Sequence, residues 1–343
     1  MLVDRLELIE TLGSLKPGIA KREIIEQGDC VIFDEKDGSL YSFNEEIACY
    51  VKFKTEITGA VQAELLLNLL NKLPDDEIDI SQEEEGSVII KCKKSISHLK
   101  CDSQIRLPIH ILEMPTDDKW LPLPDNFIEA VSIVEGCVSR SDRDFQLSSI
   151  HITPTYMESA NENQASRYNI EMPIDQPFLV RRGALQSAVS NHVTEFAITP
   201  KWLHFRNKND LRLSCHRFIE DYIDTIDVVI TKERNGVEVV VPAGVKEAVS
   251  IASLFSKDNL KGIDRIGVQF SKEKQKLFIT GEGINGSHKN SHKIEYDGES
   301  MQFSINPQLF IALLNQYKTC ELCSDCLKFS NDSYIYITSL EEP

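Results

Sequence analysis

The chain has 343 residues, 41% of them hydrophobic, with 37 Lys and Arg against 54 Asp and Glu and a formal net charge of -17. That apolar content supports packed cores and excludes a disordered chain, and the lack of any apolar run of about 18 residues excludes a membrane-spanning helix. The length exceeds one ordinary core and suits two or three domains of about 110–170 residues. The opening residues MLVDRLELIETLG carry acidic side chains and no apolar stretch with a small-residue cleavage site, so a secretory leader is not expected. Nine scattered cysteines, an odd number, read as reduced thiols of a cytoplasmic protein.

An amphipathic helix is predicted from about Asp4, where Leu6, Ile9 and Leu12 recur on one stripe. Two strand-like runs follow, Cys30-Val31-Ile32-Phe33 and Leu40-Tyr41-Ser42-Phe43, with Asp37-Gly38 between them as a hairpin-turn signal. A second helix is predicted over Ala63–Lys72, then three short strands in IDIS, SVIIKCKK and SISHLKC. The same order returns. A helix from about Asp125 puts Phe127, Val131 and Val134 in register, Ser149–Ile152 reads as a strand, a helix covers Arg181–Asn191, and EFAIT, WLHFRNK and LRLSCHRF read as strands. It returns once more from about Gly244, with Val245, Val249, Ala252 and Phe255 on one helical stripe and strands over Ile266–Phe270 and Lys276–Ile279. A last helix, Pro307–Tyr317, has proline at its first position behind Asn306 as cap, and CELCSD, CLKFS and SYIYITSL close the series as strands.

The three opening helices begin roughly 120 residues apart, so one α+β unit is expected three times, over residues 1–120, 121–232 and 233–343. Each unit is expected to pack two helices on an antiparallel sheet.

This order resembles the bacterial DNA polymerase III beta subunit (beta sliding clamp) family. ITGAVQAELLLNLLNKLPDDEIDI, Ile57 to Ile80, is similar to the family's first-domain strand leading into a Leu-rich helix that ends in Leu-Pro. HRFIEDYIDTIDVVI, His216 to Ile230, resembles the segment closing the second domain, without the usual proline. SINPQLFIALLNQY, Ser304 to Tyr317, resembles the last helix. YIYITSL, Tyr334 to Leu340, stands where the final strand lies but lacks its Met-Pro signature. MESANENQASRY, Met157 to Tyr168, departs from the family's Thr-Asp-Gly-His-Arg turn and keeps only Arg167. The resemblance implies three DNA-clamp domains assembling into a ring, closed as a head-to-tail homodimer around double-stranded DNA. It implies a cytoplasmic processivity factor, not an enzyme, in a bacterium or a phage-infected host, needing neither cofactor nor metal. DNA polymerase and clamp loader would bind through short peptide motifs.

Two sets of residues follow from that likeness. If helices line the hole, cations should cluster on or beside them despite the acidic whole, and Lys21, Arg22, Arg140, Arg143, Arg181, Arg182, Lys257 and Lys261 do. Contacts from such residues would go to phosphates, which hold a duplex without reading its sequence and so permit sliding. Carried over position by position, the partner-peptide pocket would be formed by Arg167, Ile170, Val229, Ile335, Ile337 and Ser339. An apolar pocket filled by one or two anchors gives modest affinity suited to partner exchange.

Other signals point elsewhere. Gly281, Gly283 and Gly286 spell G-x-G-x-x-G, but a dinucleotide site needs that loop to open a helix, and the following SHKNSHKIEYDG reads as a hairpin into a strand. Cys320, Cys323 and Cys326 are spaced C-x2-C-x2-C without a fourth cysteine, and strand geometry should splay Cys320 and Cys323 apart. His288 and His292 lie in a polar segment where, without a helix, a shared face is not expected. No nucleophile elbow, P-loop or His-Glu-x-x-His occurs. The strong acidity keeps a second reading open: a clamp-fold adaptor or decoy that binds clamp-interacting peptides without encircling DNA.

Overall fold

The computed structural model describes residues 1–22, 25–83, 86–139, 141, 143–256, 265–284 and 286–340. Seven α-helices lie among them: α1 Arg5–Leu15, α2 Ala63–Lys72, α3 Phe127–Val134, α4 Arg182–Ser190, α5 Thr225–Thr231, α6 Val245–Ser256 and α7 Pro307–Gln316. The strands pair antiparallel throughout the described registers. Contacts divide the chain into two compact units, one of Met1–Val131, Ser148–Pro154 and Glu171–Tyr222, the other of Ser132–Leu147, Thr155–Ile170 and Ile223–Pro343. The middle third of the sequence is thus shared between the two units.

In the first unit, Asp4 caps α1 by accepting from the amides of Leu6 (2.8 Å) and Glu7 (3.0 Å). The face it buries is Leu8, Leu12 and Leu15, not the expected Leu6–Ile9–Leu12 stripe; Leu6 is 55% exposed. The cause lies outside the helix. Strand Leu2–Asp4 pairs with Glu77–Glu83, and the Arg5 guanidinium donates to the carbonyls of Asp75 (2.6 Å) and Leu70 (3.1 Å), which sets the rotation of α1 against α2. Burying the three leucines contributes about 2 kcal/mol each.

The expected hairpin forms between Cys30–Asp34 and Ser39–Phe43, with Gly38 at φ 60°. Strand Ile47–Lys52 follows and pairs with Arg212–Phe218, Cys49 opposite Leu213. Strands from the first and middle thirds of the sequence therefore share one ladder.

In the second unit, Tyr156–Ala160 and Gln164–Asn169 form a hairpin, and Tyr334–Ser339 adds to its free side. Strands Cys326–Ser330, Thr319–Leu322 and Val237–Val240 continue that sheet. A four-stranded sheet orders Gly286–Lys293, Lys276–Gly283, Ile266–Ser271 and Met301–Ile305, and α6 packs on it and on α7. Asn306 caps α7 by accepting from the Leu309 amide at 3.0 Å.

The glycine motif is accounted for here. Gly283 faces Gly286 across a hairpin, and a Cβ on Gly281 would sit 2.0 Å from the Ala252 carbonyl of α6, so glycine lets helix and strand approach. His288 and His292 do share a face, contrary to expectation: they lie four apart on strand Gly286–Lys293, where alternation brings them to the side turned to α6. The His288 ring stacks on Phe255 at 5.9 Å. Cys320 belongs to a large core cluster with Val239 and Phe329, whereas Cys323 and Cys326 sit in a separate cluster with Ile337, the splay expected of a strand.

A candidate docking pocket beside the C-terminal strand

The second unit holds an apolar pocket of about 370 Å³. Strand Tyr334–Ser339 forms one wall. Alternation sends Tyr334 and Tyr336 into the aromatic core with Tyr317 and Phe329, and sends Ile335, Ile337 and Ser339 to the opposite face. Its partner strand sets Ala165 opposite Ile337 and Arg167 opposite Ile335. Ser339 is tied to the hairpin tip, its amide donating to the Asn163 carbonyl at 2.8 Å. The tip residues Ala160 to Ala165 complete this side, with Leu147 beside them.

The facing wall is α5, with Ile223 just before it. Ile226 and Ile230 are buried and Val229 is half-buried toward the pocket, while Val228 is 67% exposed, a one-sided helix of two turns. Charges hold it at both ends. At one, Arg167 bridges the hairpin to the helix: its guanidinium donates to Glu158 at 2.9 Å and to Asp227, and lies 4.1 Å from the Tyr156 ring centre. Burial alone would lower the Arg167 pKa, but its bonds to Asp227 and Glu158 outweigh that and hold it charged. At the other, Arg234 donates to the carbonyls of Val229 (2.7 Å) and Lys232 (3.3 Å) and pairs with Asp325 at 3.6 Å. Lys232 reaches the same carboxylate at 3.1 Å. Burial would raise the Asp325 pKa; the hydrogen bond from Lys232 and the two cations hold it below the usual carboxylate range.

Of the six residues expected here, Val229, Ile337 and Ser339 line the pocket, and Ile335 packs in the adjoining cluster. Arg167 does not line it but anchors α5. Ile170 is buried at the end of the hairpin, its amide on the Thr155 carbonyl at 3.0 Å, and is not a lining residue. Ile223, Ile226, Arg234 and Cys326 were not anticipated. The signal for Ile226 is the run of apolar residues at 226, 229 and 230 after Asp224, the spacing of a short helix.

The cations are placed unevenly. Lys21 and Arg22 are exposed in the turn after α1, and Arg143 is exposed in a turn. Arg182 is half-buried at the start of α4, and Arg181, 22% exposed, contacts Ser148 and pairs with Glu46 at 3.6 Å. Arg140, Lys257 and Lys261 lie outside the described residues. Among the described residues no three His, Cys, Asp or Glu side chains gather as a metal site, and no helix is long and apolar enough to cross a membrane.

No protein-family model and no curated protein matches the chain in sequence. Solved structures do match in shape. A putative DNA polymerase III beta subunit from Eubacterium rectale superposes with a TM-score of 0.79 at 16% identity, covering 99% of this chain and 98% of the other. The DNA polymerase sliding clamp of Bacillus subtilis gives 0.79 at 14% identity, covering 100% and 98%. A sliding clamp of Pseudomonas aeruginosa bound to griselimycin gives 0.76 at 15% identity, covering 100% and 99%. Over its whole length, then, the polypeptide has the α+β fold of the bacterial DNA polymerase III beta sliding clamps, at a sequence distance where only the fold is held in common.

Proposed function

We propose that the protein is a sliding clamp: a ring of two copies that encircles duplex DNA and tethers a polymerase through the pocket beside strand Tyr334–Ser339. The observation that carries this reading is the end-to-end likeness to clamp structures, which covers 99–100% of the chain. In the proposal residues 1–120, 121–232 and 233–343 are the three domains of each copy. Processivity then comes from topology, because a closed ring cannot leave sideways however weak each phosphate contact is. Lys21, Arg22 and Arg143 are the exposed cations favoured for those contacts.

Closure needs a heterologous interface, and each unit offers an edge. In the first, Ser95–Asp102 pairs with Ser87–Cys92 and meets Gly59–Gln62 only at its last two residues, with Ile96 61% exposed beside the open stretch. In the second, Gly286–Lys293 is an outer strand among the described residues, with Leu254 (65%) and Ile284 (67%) exposed in the same unit. Open edges with apolar neighbours are what a second copy would cover.

A second reading, an adaptor that binds clamp-seeking peptides without encircling DNA, is favoured by the net charge of -17 and by the engagement of Arg181 with Glu46. Two measurements separate them. The ring predicts a mass near twice 38.9 kDa by light scattering, and retention on circular DNA that is lost when the circle is cut. A monomer at micromolar concentration that ignores DNA topology refutes the ring and leaves the adaptor.

A further inference from the structure

Cys323 and Cys326 flank the two-residue turn Ser324-Asp325, and the Cys323 amide donates to the Cys326 carbonyl at 2.9 Å. They follow the pair Leu322 and Leu327 and so close the ladder between Thr319–Leu322 and Cys326–Ser330. Residues opposed in such a hydrogen-bonded pair have Cα atoms about 5.5 Å apart, inside the roughly 4.4–6.8 Å over which a disulfide closes without backbone movement. Both side chains belong to the cluster of Ile337, Val229 and Ile335. Cys320 belongs to a different cluster. Cys326 lines the pocket; Cys323 sits behind it.

We infer that Cys323 and Cys326 are a reversible dithiol–disulfide pair built into the pocket wall, oxidised by low-molecular-weight disulfides that enter the pocket. The Cys326 sulfur attacks one sulfur of the reagent. The reagent S–S bond breaks, a mixed disulfide forms, and the departing sulfur takes up the Cys326 proton. Cys323 then attacks the Cys326 sulfur of the mixed disulfide, releasing the second reagent thiol with the Cys323 proton. Two protein thiols lose two electrons in all, and one reagent disulfide is reduced to two thiols.

Burial raises both thiols above their ordinary range, Cys326 to about 12, so the pair rests protonated and exchange is slow. The position gives the chemistry a consequence. Asp325, inside the turn, holds Lys232 and Arg234 at the end of α5, and its carbonyl accepts from the Leu340 amide at 3.0 Å. A cross-link across this turn acts on both walls of the pocket at once.

The test incubates the full-length protein with oxidised glutathione, alkylates it under denaturing conditions, and maps each cysteine by mass spectrometry. The expected product is a peptide in which Cys323 and Cys326 are joined, two hydrogens lighter and closed to alkylation until dithiothreitol is added, with Cys320 still alkylated. Cys323→Ser should stop at a glutathione adduct on Cys326, and Cys326→Ser should leave Cys323 unmodified. Cys30, the one cysteine that is not buried, reports that the reagent is active. Adduct on Cys30 with Cys323 and Cys326 still reduced overturns the proposal, and so does adduct on Cys323 in Cys326→Ser as fast as the wild type cross-links. The wild-type arm decides the pairing even where a variant fails to fold.

Discussion

Arg234 holds one end of the pocket's helical wall, and removing its charge should loosen that wall without unfolding the protein. Arg234→Met keeps most of the buried stem and deletes the guanidinium, whose side chain is 9% exposed. Lost are donations to the Val229 carbonyl at 2.7 Å and the Lys232 carbonyl at 3.3 Å, and the 3.6 Å pairing with Asp325. A hydrogen bond from a charged donor is worth about 1.5–3 kcal/mol, but carbonyls at a helix end can turn to water. Asp325, 48% exposed, also keeps Lys232 at 3.1 Å. The net loss is therefore set near the strength of one such bond, about 2 kcal/mol, a roughly thirtyfold shift in the local opening equilibrium. Hydrogen exchange read by mass spectrometry should show residues 223–232 exchanging faster by that factor, with α7 unchanged. Arg234→Lys should recover part of the protection. Exchange in 223–232 equal to wild type would show that Arg234 does not hold α5.

Three further outcomes are expected. In the proposed clamp, Val229→Glu, on the half-buried face of α5, should abolish binding of polymerase-derived peptides, because the new carboxylate enters the apolar pocket, while lowering the melting temperature by only a few degrees, because Val229 packs at the partly exposed edge of the Ile337 cluster. If the proposed ring forms, Ile96→Glu and Leu254→Glu, at positions 61% and 65% exposed, should each leave it monomeric by light scattering, since neither side chain is needed for the fold of its own unit. Burial holds the His204 imidazole at about 4 instead of 6.5, with Ser214 Oγ at 2.7 Å from Nδ1 and Thr199 Oγ1 at 3.0 Å from Nε2. The unfolded chain therefore takes the proton first. The resulting stability is complete above the unfolded value and is lost as pH falls toward the folded one, by about 2 kcal/mol at about pH 5; urea midpoints of His204→Gln should lack that increment.

Much of the fold was legible because each element carries its own local signal. The helix Ala63–Lys72 ends where its apolar period ends at Leu-Pro, and α7 begins at Asn306-Pro307 for reasons of capping and a missing amide. What failed depended on partners distant in sequence. Leu6 and Leu8 have equal claim to be buried by spacing alone, and the choice is made by Arg5 reaching carbonyls some seventy residues away. The site behaved likewise. The family resemblance named Ile335, Ile337 and Ser339, which strand alternation does put on one face, but the opposite wall needs a seven-residue helix held by the distant Arg167 and by Arg234. Ile170, expected with the pocket, is not among its lining residues. Its hairpin ends at Asn169, leaving Ile170 to pack inward.

The pocket exists because remote stretches meet: the hairpin tip 160–165 with Leu147, helix α5 with Arg234, the turn at Asp325 and Cys326, and the strand Tyr334–Ser339. That strand has two roles that cannot be separated. It completes the sheet by pairing Gln164–Asn169 through five opposed residues, and the face it turns away from the aromatic core forms the pocket wall. Had the pocket been built on loops, its lining and the stability of the fold could vary independently. Here, a change that frees the strand also uncovers the edge of Gln164–Asn169, an aggregation template, so the strand is held to its register by Tyr334, Tyr336 and Thr338, while Ile335, Ile337 and Ser339 face the pocket side. Alternation along one strand thus puts the residues that hold the sheet on one face and those that shape the pocket on the other.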